Sequence, residues 1–537
     1  MEQQHERGRE HEGQRTKVVV IGAGMGGLAT AIRLAAAGQR VTLIEAAGVP
    51  GGKARTIASI AGPVDAGPTV LTLRRVFDDL FALAGERLED HVTLIPQLVL
   101  ARHWWPDGSR LDLTTNAEAN IAAISDFAGM RAGQAFARFD RMSAELYAAF
   151  EAPVMQAARP TLGHVVAAAL RAPGAWPALM PGMSLQRLLT RHFDDPRLVQ
   201  LFARYATYVG GKPGQSPGVL ALIWRAEAAG VWAVEGGMHR LALALAALAD
   251  RLGVELRYAT AAQRIVTQQG RVTGVQIAGG ATLPCDACVF NGDPAALVAG
   301  FLGEAAQKSV APLATQPRSL SAWVWAFGAR VAGAVAPDLI HHNVFFTANP
   351  KAEFGPIARG QMPLEPTLYV CAEDRARGVP QPDGVADPGY ERFEIIINAS
   401  PGQPALPQDY RACHSRTFER LQSFGLTFSP APEAHSLITP SMLAQQFPGS
   451  QGAIYGRSPE GSFAAFRRPG AQTALPGLYL AGGGAHPGAG VPMAALSGRH
   501  AAEAILNGPT SRSTWRQMAM PGGTSTASRR TDGAPSR

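Results

Sequence analysis

Between Gly22 and Glu45 the chain carries the residue types needed to hold a dinucleotide. Lys17–Ile21, KVVVI, is a short apolar run of the kind found in buried parallel strands. It leads into Gly22-Ala23-Gly24-Met25-Gly26-Gly27, which fits G-x-G-x-x-G, and then into LATAIRLAAAG, of helical composition and closed by Gly38. Each glycine has a task. Gly22 permits the tight turn, Gly24 lets the backbone approach a pyrophosphate, and Gly27 lets the helix lie close to the strand. The helix N-terminus then offers free amides and a positive dipole to the phosphates. A second strand, Arg40–Ile44, delivers Glu45, whose carboxylate can accept hydrogen bonds from an adenosine ribose. Ala46-Ala47 follow with no arginine to take a 2′-phosphate, which disfavours NADP. The bland reading, a glycine-rich β–α turn without a ligand, leaves the acid at that spacing unexplained.

Three further stretches extend the pattern. Gly51-Gly52, with Lys53 and Arg55 beside them, can wrap a second side of a diphosphate. Gly236-Gly237-Met238 opens a helical run closed by Gly253, followed by VELRY, RIV, the turn QQGR, VTGVQI and CVFN. There Asp293 reads as a helix N-cap and Pro294 as its first helical residue. Near the end, a strand over Gly477–Ala481 runs into Gly482-Gly483-Gly484, then His486-Pro487-Gly488-Ala489-Gly490-Val491-Pro492 and a small-residue helix. Pro492 suits the first turn of that helix, whose free amides would face a bound anion.

Residues 16–85 resemble the FAD-binding N-terminus of the amine oxidase and phytoene desaturase superfamily, in which a second glycine pair marks FAD enzymes. The stretch after Gly236 resembles the second FAD segment of that superfamily, with Val266 where a backbone contact to adenine is expected. LYLAGGGAHPGAGVP closely resembles the carotenoid and phytoene desaturase signature. Residues 65–85 and 98–113 look like the branch that desaturates 1-hydroxylated acyclic carotenoids at C3–C4. The resemblance covers essentially 16–507. It implies FAD held by Gly22, Gly24, Gly27, Glu45, Gly51, Gly52, Lys53, Arg55, Val266, Gly482, Gly483, Val491 and Pro492. It also implies hydride loss from C4 to the flavin and proton loss from C3, with oxygen or a membrane quinone as the final acceptor. A phytoene or neurosporene desaturase, a redox-neutral carotene isomerase and a non-catalytic carotenoid carrier are the alternatives. His486 is the titratable group nearest the signature, either as proton acceptor or as a loop histidine bonded to backbone.

The expected architecture is α/β, with a Rossmann-like FAD-binding domain assembled from 16–85, 232–300 and 475–508. An inserted α+β substrate-binding, membrane-facing domain fills 86–231 and 301–474. Residues 1–15 and 509–537 read as disordered tails. The chain's 537 residues are 46% hydrophobic and 17% charged, which excludes a disordered protein. Its net charge of +7 is concentrated in the C-terminal tail, so no nucleic-acid footprint is expected. No apolar run is long enough to span a bilayer, and the charged N-terminus is not a secretory signal. Four cysteines make no disulfide framework. A cytoplasmic protein, peripheral on the inner membrane surface, is expected, with a lipid bilayer surface and an acyclic carotenoid as partners. Residues 162–183, apolar except for Arg171, form either a segment in the membrane interface or a core helix and loop.

No metal site is expected. Cys285 and Cys288 have C-x-x-C spacing without a second pair. His341-His342 lacks helical i, i+4 spacing and nearby carboxylates in the sequence. Trp104 and Trp105, adjacent on a strand, must face opposite ways. Arg467-Arg468 reads as a solvated or salt-bridged pair.

Overall fold

The computed structural model describes residues 15–378, 389–404, 406–461 and 464–508. Of the two expected disordered tails, residues 1–14 and all of 509–537 lie outside the described residues.

A five-stranded parallel sheet gathers strands from far apart in the chain. Its order is Leu478–Leu480, Ala287–Phe290, Lys17–Ile21, Arg40–Ile44 and Glu255–Arg257. Val18, Val19 and Val20 are buried on both faces, which is why the central strand reads as an unbroken apolar run. One face is covered by the helices Met25–Ala36, His239–Arg251 and Val491–Leu506, through Leu28, Ile32, Leu241, Leu245, Leu496 and Ile505. Full burial of each such side chain contributes about 1.5–3 kcal/mol. The other face carries a three-stranded antiparallel meander, Ala262–Gln268, Arg271–Ile277 and Thr282–Pro284. Cys285 and Cys288 are free and buried beneath it, and burial pushes both thiols up, away from metal-binding or redox chemistry.

A second, larger sheet is mostly antiparallel. It contains Thr427–Ser429, Ser321–Ala332, Glu391–Ala399, Leu368–Ala372, His342–Phe345, Val99–Trp104 and Arg110–Thr114, in that order. The period-2 alternation of its strands sorts their side chains. Trp323, Trp325, Phe327, Phe393, Ile395, Val370 and Phe345 share one apolar cluster with Cys413 and Leu421 of the helix Pro407–Ser423. Of the residues between them, Val344 and Tyr369 face a helical layer built from residues 117–228 around Phe136, Phe139, Phe202 and Trp224, whereas Val324, Ala326 and Ile396 pack with Val64, Ala66 and Leu443. Trp104 and Trp105 divide as expected: Trp104 stacks on Phe345 in the first cluster and Trp105 on Phe346 in the second.

Residues 162–183 fold as the helix Leu162–Arg171 and two short turns of helix at Pro173–Ala175 and Trp176–Leu179. Val166, Leu170, Trp176 and Met180 are 51–68% exposed. Four large apolar side chains on one short stretch form a patch facing outward. Among the described residues no helix is long and apolar enough to cross a membrane.

Candidate functional site

The glycine turn sits where the three segments meet. The amide of Gly22 donates to Ile44 O, and that of Gly51 to Ala23 O, 2.8 and 2.9 Å away. A methyl group on Gly27 would lie 2.0 Å from Gly22 O, and one on Gly26 would lie 2.5 Å from Gly482 N. The glycines therefore serve close packing on both flanks as well as the turn itself. Glu45 holds the turn open, its two carboxylate oxygens accepting from Ala23 N and Ala47 N at 2.7 and 2.8 Å. Each oxygen keeps a further lone pair for a ribose hydroxyl.

Asn291, quoted only as a strand end in the sequence, belongs at the centre. Its Nδ2 donates to Gly22 O at 3.0 Å, and its Oδ1 is buried without a partner beside Gly26 and Gly482. Polar side chains at the end of a parallel strand are the signal that would have found it. Val266 is a different case. The residues touching Glu45 and Ala47 are Thr260 and Ala259. Val266 lies further along the chain, in a cleft with Thr267, Gln276, Gly303 and Glu304, and the structure does not bring it to the glycine turn.

Beyond the second glycine pair is a group of buried cations. Lys53 Nζ donates to Ile454 O at 2.7 Å, and Arg55 Nε to Gly52 O at 3.0 Å. Both cations lie over the ring of Phe447. Burial, opposed by Asp293 and aided by Arg318 and Arg468, pushes Lys53 down to about 8. Arg468 corrects the expectation of a solvated or salt-bridged pair: Arg467 is exposed, but Arg468 is half-buried and donates to Tyr455 O, Gly483 O and Arg457 O at 2.5–3.0 Å. Asp293 caps Ala295 N as expected and also pairs with the buried Arg318. Lys53, Arg318 and Arg468 against the one carboxylate of Asp293 leave an excess of positive charge suited to an anionic group.

The last segment closes the cradle. Gly482 N donates to Ser497 Oγ at 2.7 Å, and Gly490, at a φ of 104°, caps the helix Val491–Leu506 with Pro492 in its first turn. His486 Nε2 faces two carbonyls, Val154 O at 3.0 Å and Ala157 O at 2.9 Å. Carbonyls only accept, so Nε2 must carry the proton. Burial also pushes the ring below its usual range, so it is neutral. His486 is thus bonded to backbone through Nε2, which is unavailable as a proton acceptor, while Nδ1 in this tautomer keeps its lone pair.

Buried carboxyls gather on the far side of the Lys53 loop. Asp65 caps the helix His239–Arg251 through Met238 N and His239 N, and its own amide donates to Glu373 Oε1 at 2.7 Å. Burial raises Asp65, Glu373 and Glu394, and they repel one another, with Arg392 as the nearby cation. Glu373 is pushed up to about 8. An unfolded chain releases that proton near 4.5, so the unfolded state binds fewer protons between about 4.5 and 8. Stability must then fall as pH rises through that window, by up to about 1.4 kcal/mol per pH unit per proton. The buried histidines, pushed down, lose stability only below about 6.5, and Lys53, pushed down to about 8, adds an opposite slope toward pH 8 that wild type and a Glu373 variant share, so their difference over pH 6.5–8 isolates Glu373. Glu373→Gln is expected to flatten the fall in melting temperature over pH 6.5–8. Parallel slopes for the two proteins would refute the assignment.

His341, His342 and Cys371 place three ligand-type atoms within 4.8 Å of one another, all buried. Sequence spacing gave no hint of this. His342 and Cys371 are direct register partners on adjacent strands, and Cys371 pairs in turn with Glu394. The carboxylates missing nearby in the sequence are thus supplied by register. His341 Nδ1 already bonds Ala372 O, and His342 Nδ1 bonds Tyr369 Oη.

This row is one of three ranks across the sheet's inner face. The next is Val344, Tyr369 and Ile396, again register partners. Beyond it, Phe346, Thr367 and Asn398 line a cavity of about 520 Å³, closed on the other side by Phe193, Val199 and Ala203. The site thus consists of a glycine and cation cradle for an anionic dinucleotide and, further along the sheet, a cavity of mixed lining in which Phe193, Phe346 and Phe354 stand beside Arg204 and Glu353.

That combination defines a flavoprotein oxidoreductase. The chain belongs to the flavin containing amine oxidoreductase family, matched over residues 25–318 and 423–506. The hydroxyneurosporene desaturase of Cereibacter sphaeroides is 64% identical over 497 residues, 93% of this chain and 99% of that protein. The protein of the same name from Rhodobacter capsulatus is 57% identical, covering 91% and 98%. Among solved structures, cyclohexylamine oxidase from Brevibacterium oxydans shares the fold, with a TM-score of 0.56 at 16% identity over 92% of this chain and 99% of that one. The cofactor is FAD, and the cradle fits it. The bare backbone at the glycine turn would hold the pyrophosphate and Glu45 the ribose, with the cations nearby to offset negative charge.

Proposed function

We propose that this chain introduces the C3–C4 double bond into acyclic carotenoids that carry a tertiary hydroxyl at C1. The observation that carries this reading is identity of 57–64% to two hydroxyneurosporene desaturases over nearly the whole length of both. Bound FAD supplies a hydride acceptor at N5. The protein's own residues hold and dry the site. Gly22, Gly24, Gly27, Gly51, Gly52, Gly482 and Gly483 admit the cofactor's backbone-facing edge. Lys53, Arg55 and Arg468 would balance negative charge, and the unbonded amides in the first turn of the helix Val491–Leu506 would favour the part of the ring that gains charge on reduction. The cavity over Phe346 aligns the polyene, whose conjugation delocalises the cation left by hydride loss. Oxygen or a quinone takes the electrons afterwards.

Apart from its one hydroxyl the substrate is hydrocarbon, so it enters from lipid. The patch of Val166, Leu170, Trp176 and Met180 supports contact with a bilayer surface. The test is anaerobic. FAD-loaded protein is mixed with liposomes carrying 1-hydroxyneurosporene or phytoene. Flavin bleaching and a red-shifted polyene with the hydroxylated substrate alone are expected. Bleaching with phytoene would make it a general desaturase, and no bleaching with either an isomerase or a carrier. In the same liposomes, Leu170→Asp with Trp176→Asp is expected to lower co-sedimentation several-fold. Unchanged sedimentation would remove the patch from the membrane.

A further inference from the structure

The inner face of the large sheet has one polar island that the cofactor cradle does not use. Tyr369 is a half-buried residue between the fully buried Leu368 and Val370. Its hydroxyl lies 2.7 Å from Thr69 Oγ1 and 2.7 Å from His342 Nδ1. His342 is buried, and its Nε2 has no hydrogen-bond partner. Thr69 belongs to the loop whose Gly67 packs directly on Lys53, where a methyl group would lie 2.0 Å from Lys53 O. The island therefore stands next to the second glycine pair. It also lies one rank in from the cavity lined by Phe346, Thr367 and Asn398.

The geometry points to Tyr369, held between Thr69 and His342, as the group that recognises the tertiary hydroxyl of the substrate and sets the preference for hydroxylated over plain acyclic carotenoids. This inference rests on the proposed function and names the residues behind its specificity.

Donor and acceptor counting supports it. If Tyr369 donates to His342 Nδ1, Thr69 donates to Tyr369, and lone pairs on both oxygens stay open. If His342 donates instead, Tyr369 donates to Thr69, whose own proton is then free. The Tyr369 hydroxyl also meets Cys371, a thiol that bonds weakly and is readily displaced, so in both orientations an alcohol can donate to the Tyr369 oxygen in its place. In the second it can also accept from Thr69. The reacting C3–C4 bond is two carbons from the hydroxyl-bearing C1, so the alcohol must bind near the flavin. Tyr369 is linked to the flavin loop through Thr69. A plain carotenoid would leave this polar group facing hydrocarbon, and sites built to bond a hydroxyl reject analogues lacking it strongly.

The test compares wild type, Tyr369→Phe, Thr69→Val and Thr69→Ser, each loaded with FAD and checked for flavin content and melting temperature. Anaerobic flavin reduction is measured with liposomes of 1-hydroxyneurosporene and of neurosporene. Tyr369→Phe is expected to lower the ratio of kcat/KM for the hydroxylated over the plain substrate by about 10- to 100-fold. Thr69→Val should follow it, and Thr69→Ser should restore the ratio. An unchanged ratio in Tyr369→Phe, whether both rates fall together or neither moves, overturns the inference and leaves the proposed function standing. Wild type that fails to reduce its flavin with 1-hydroxyneurosporene overturns the proposed function and this inference with it.

Discussion

Gly27→Ala is expected to purify with less than about a tenth of the wild-type flavin. The added methyl would sit 2.0 Å from the carbonyl oxygen of Gly22 and 2.9 Å from Asn291 Nδ2. The first neighbour is backbone on the central strand, which cannot turn aside as a side chain can. The helix Met25–Ala36 must therefore lift away from the sheet by an ångström or more, and its amides leave the position in which they meet the pyrophosphate. The helix is also fixed on its far side, where Gly498 packs against Gly26 O, so the shift strains a second contact. Gly48→Ala is the control, since a methyl there meets nothing within 4 Å. The measurement is visible absorbance per protein after purification in excess FAD, with near-stoichiometric flavin in Gly27→Ala as the refuting result.

Asp293→Ala is expected to be the most destabilising single change near the site. The carboxylate caps a helix and neutralises Arg318, which is itself buried. Removing one partner of a buried pair costs about 3–5 kcal/mol, and losing an N-cap adds about 1 kcal/mol. Against a total of about 5–15 kcal/mol, that is a large share. The effect reaches the cofactor as well. Asp293 is what holds the Lys53 and Arg468 cations up against burial and mutual repulsion, so its loss drives Lys53 below its present value of about 8. Lys53 then carries its charge in a smaller share of molecules, and affinity for the anionic cofactor falls. Asp293→Asn separates the two roles, because asparagine still caps the helix. Denaturant unfolding and FAD rebinding measure both. A loss of under about 1 kcal/mol for Asp293→Ala would contradict the account.

How much of this was legible beforehand depended on whether an interaction was local. The turn at Gly22–Gly27, the cap at Asp293 and the C-terminal glycine run each follow from a few adjacent residues, and all three are where spacing placed them. Arg468 was misread because an arginine that binds three carbonyls looks the same in sequence as one in water. Asn291 was underweighted because its partner, Gly22, is 269 residues away. The His341, His342 and Cys371 group was dismissed on spacing along the chain, whereas strand register is what assembles it. His486 was left open between two roles. Two carbonyls of a segment more than 300 residues earlier assign its proton.

The sheet order bears on how the protein comes into being during synthesis. The strand Lys17–Ile21 leaves the ribosome early, but its neighbour Ala287–Phe290 follows about 270 residues later. At about 5–20 residues per second, the first edge stays unpaired for roughly 13–54 seconds. The outermost strand, Leu478–Leu480, emerges later still, and Thr30 meets Gly498 only across 468 residues. No partly made chain has a complete cradle, so flavin capture is the closing event of biogenesis. Until then an apolar strand edge is open to other chains. Supply of flavin and of chaperones in that interval, more than the strength of any single contact, then sets the yield of active enzyme in a producing cell.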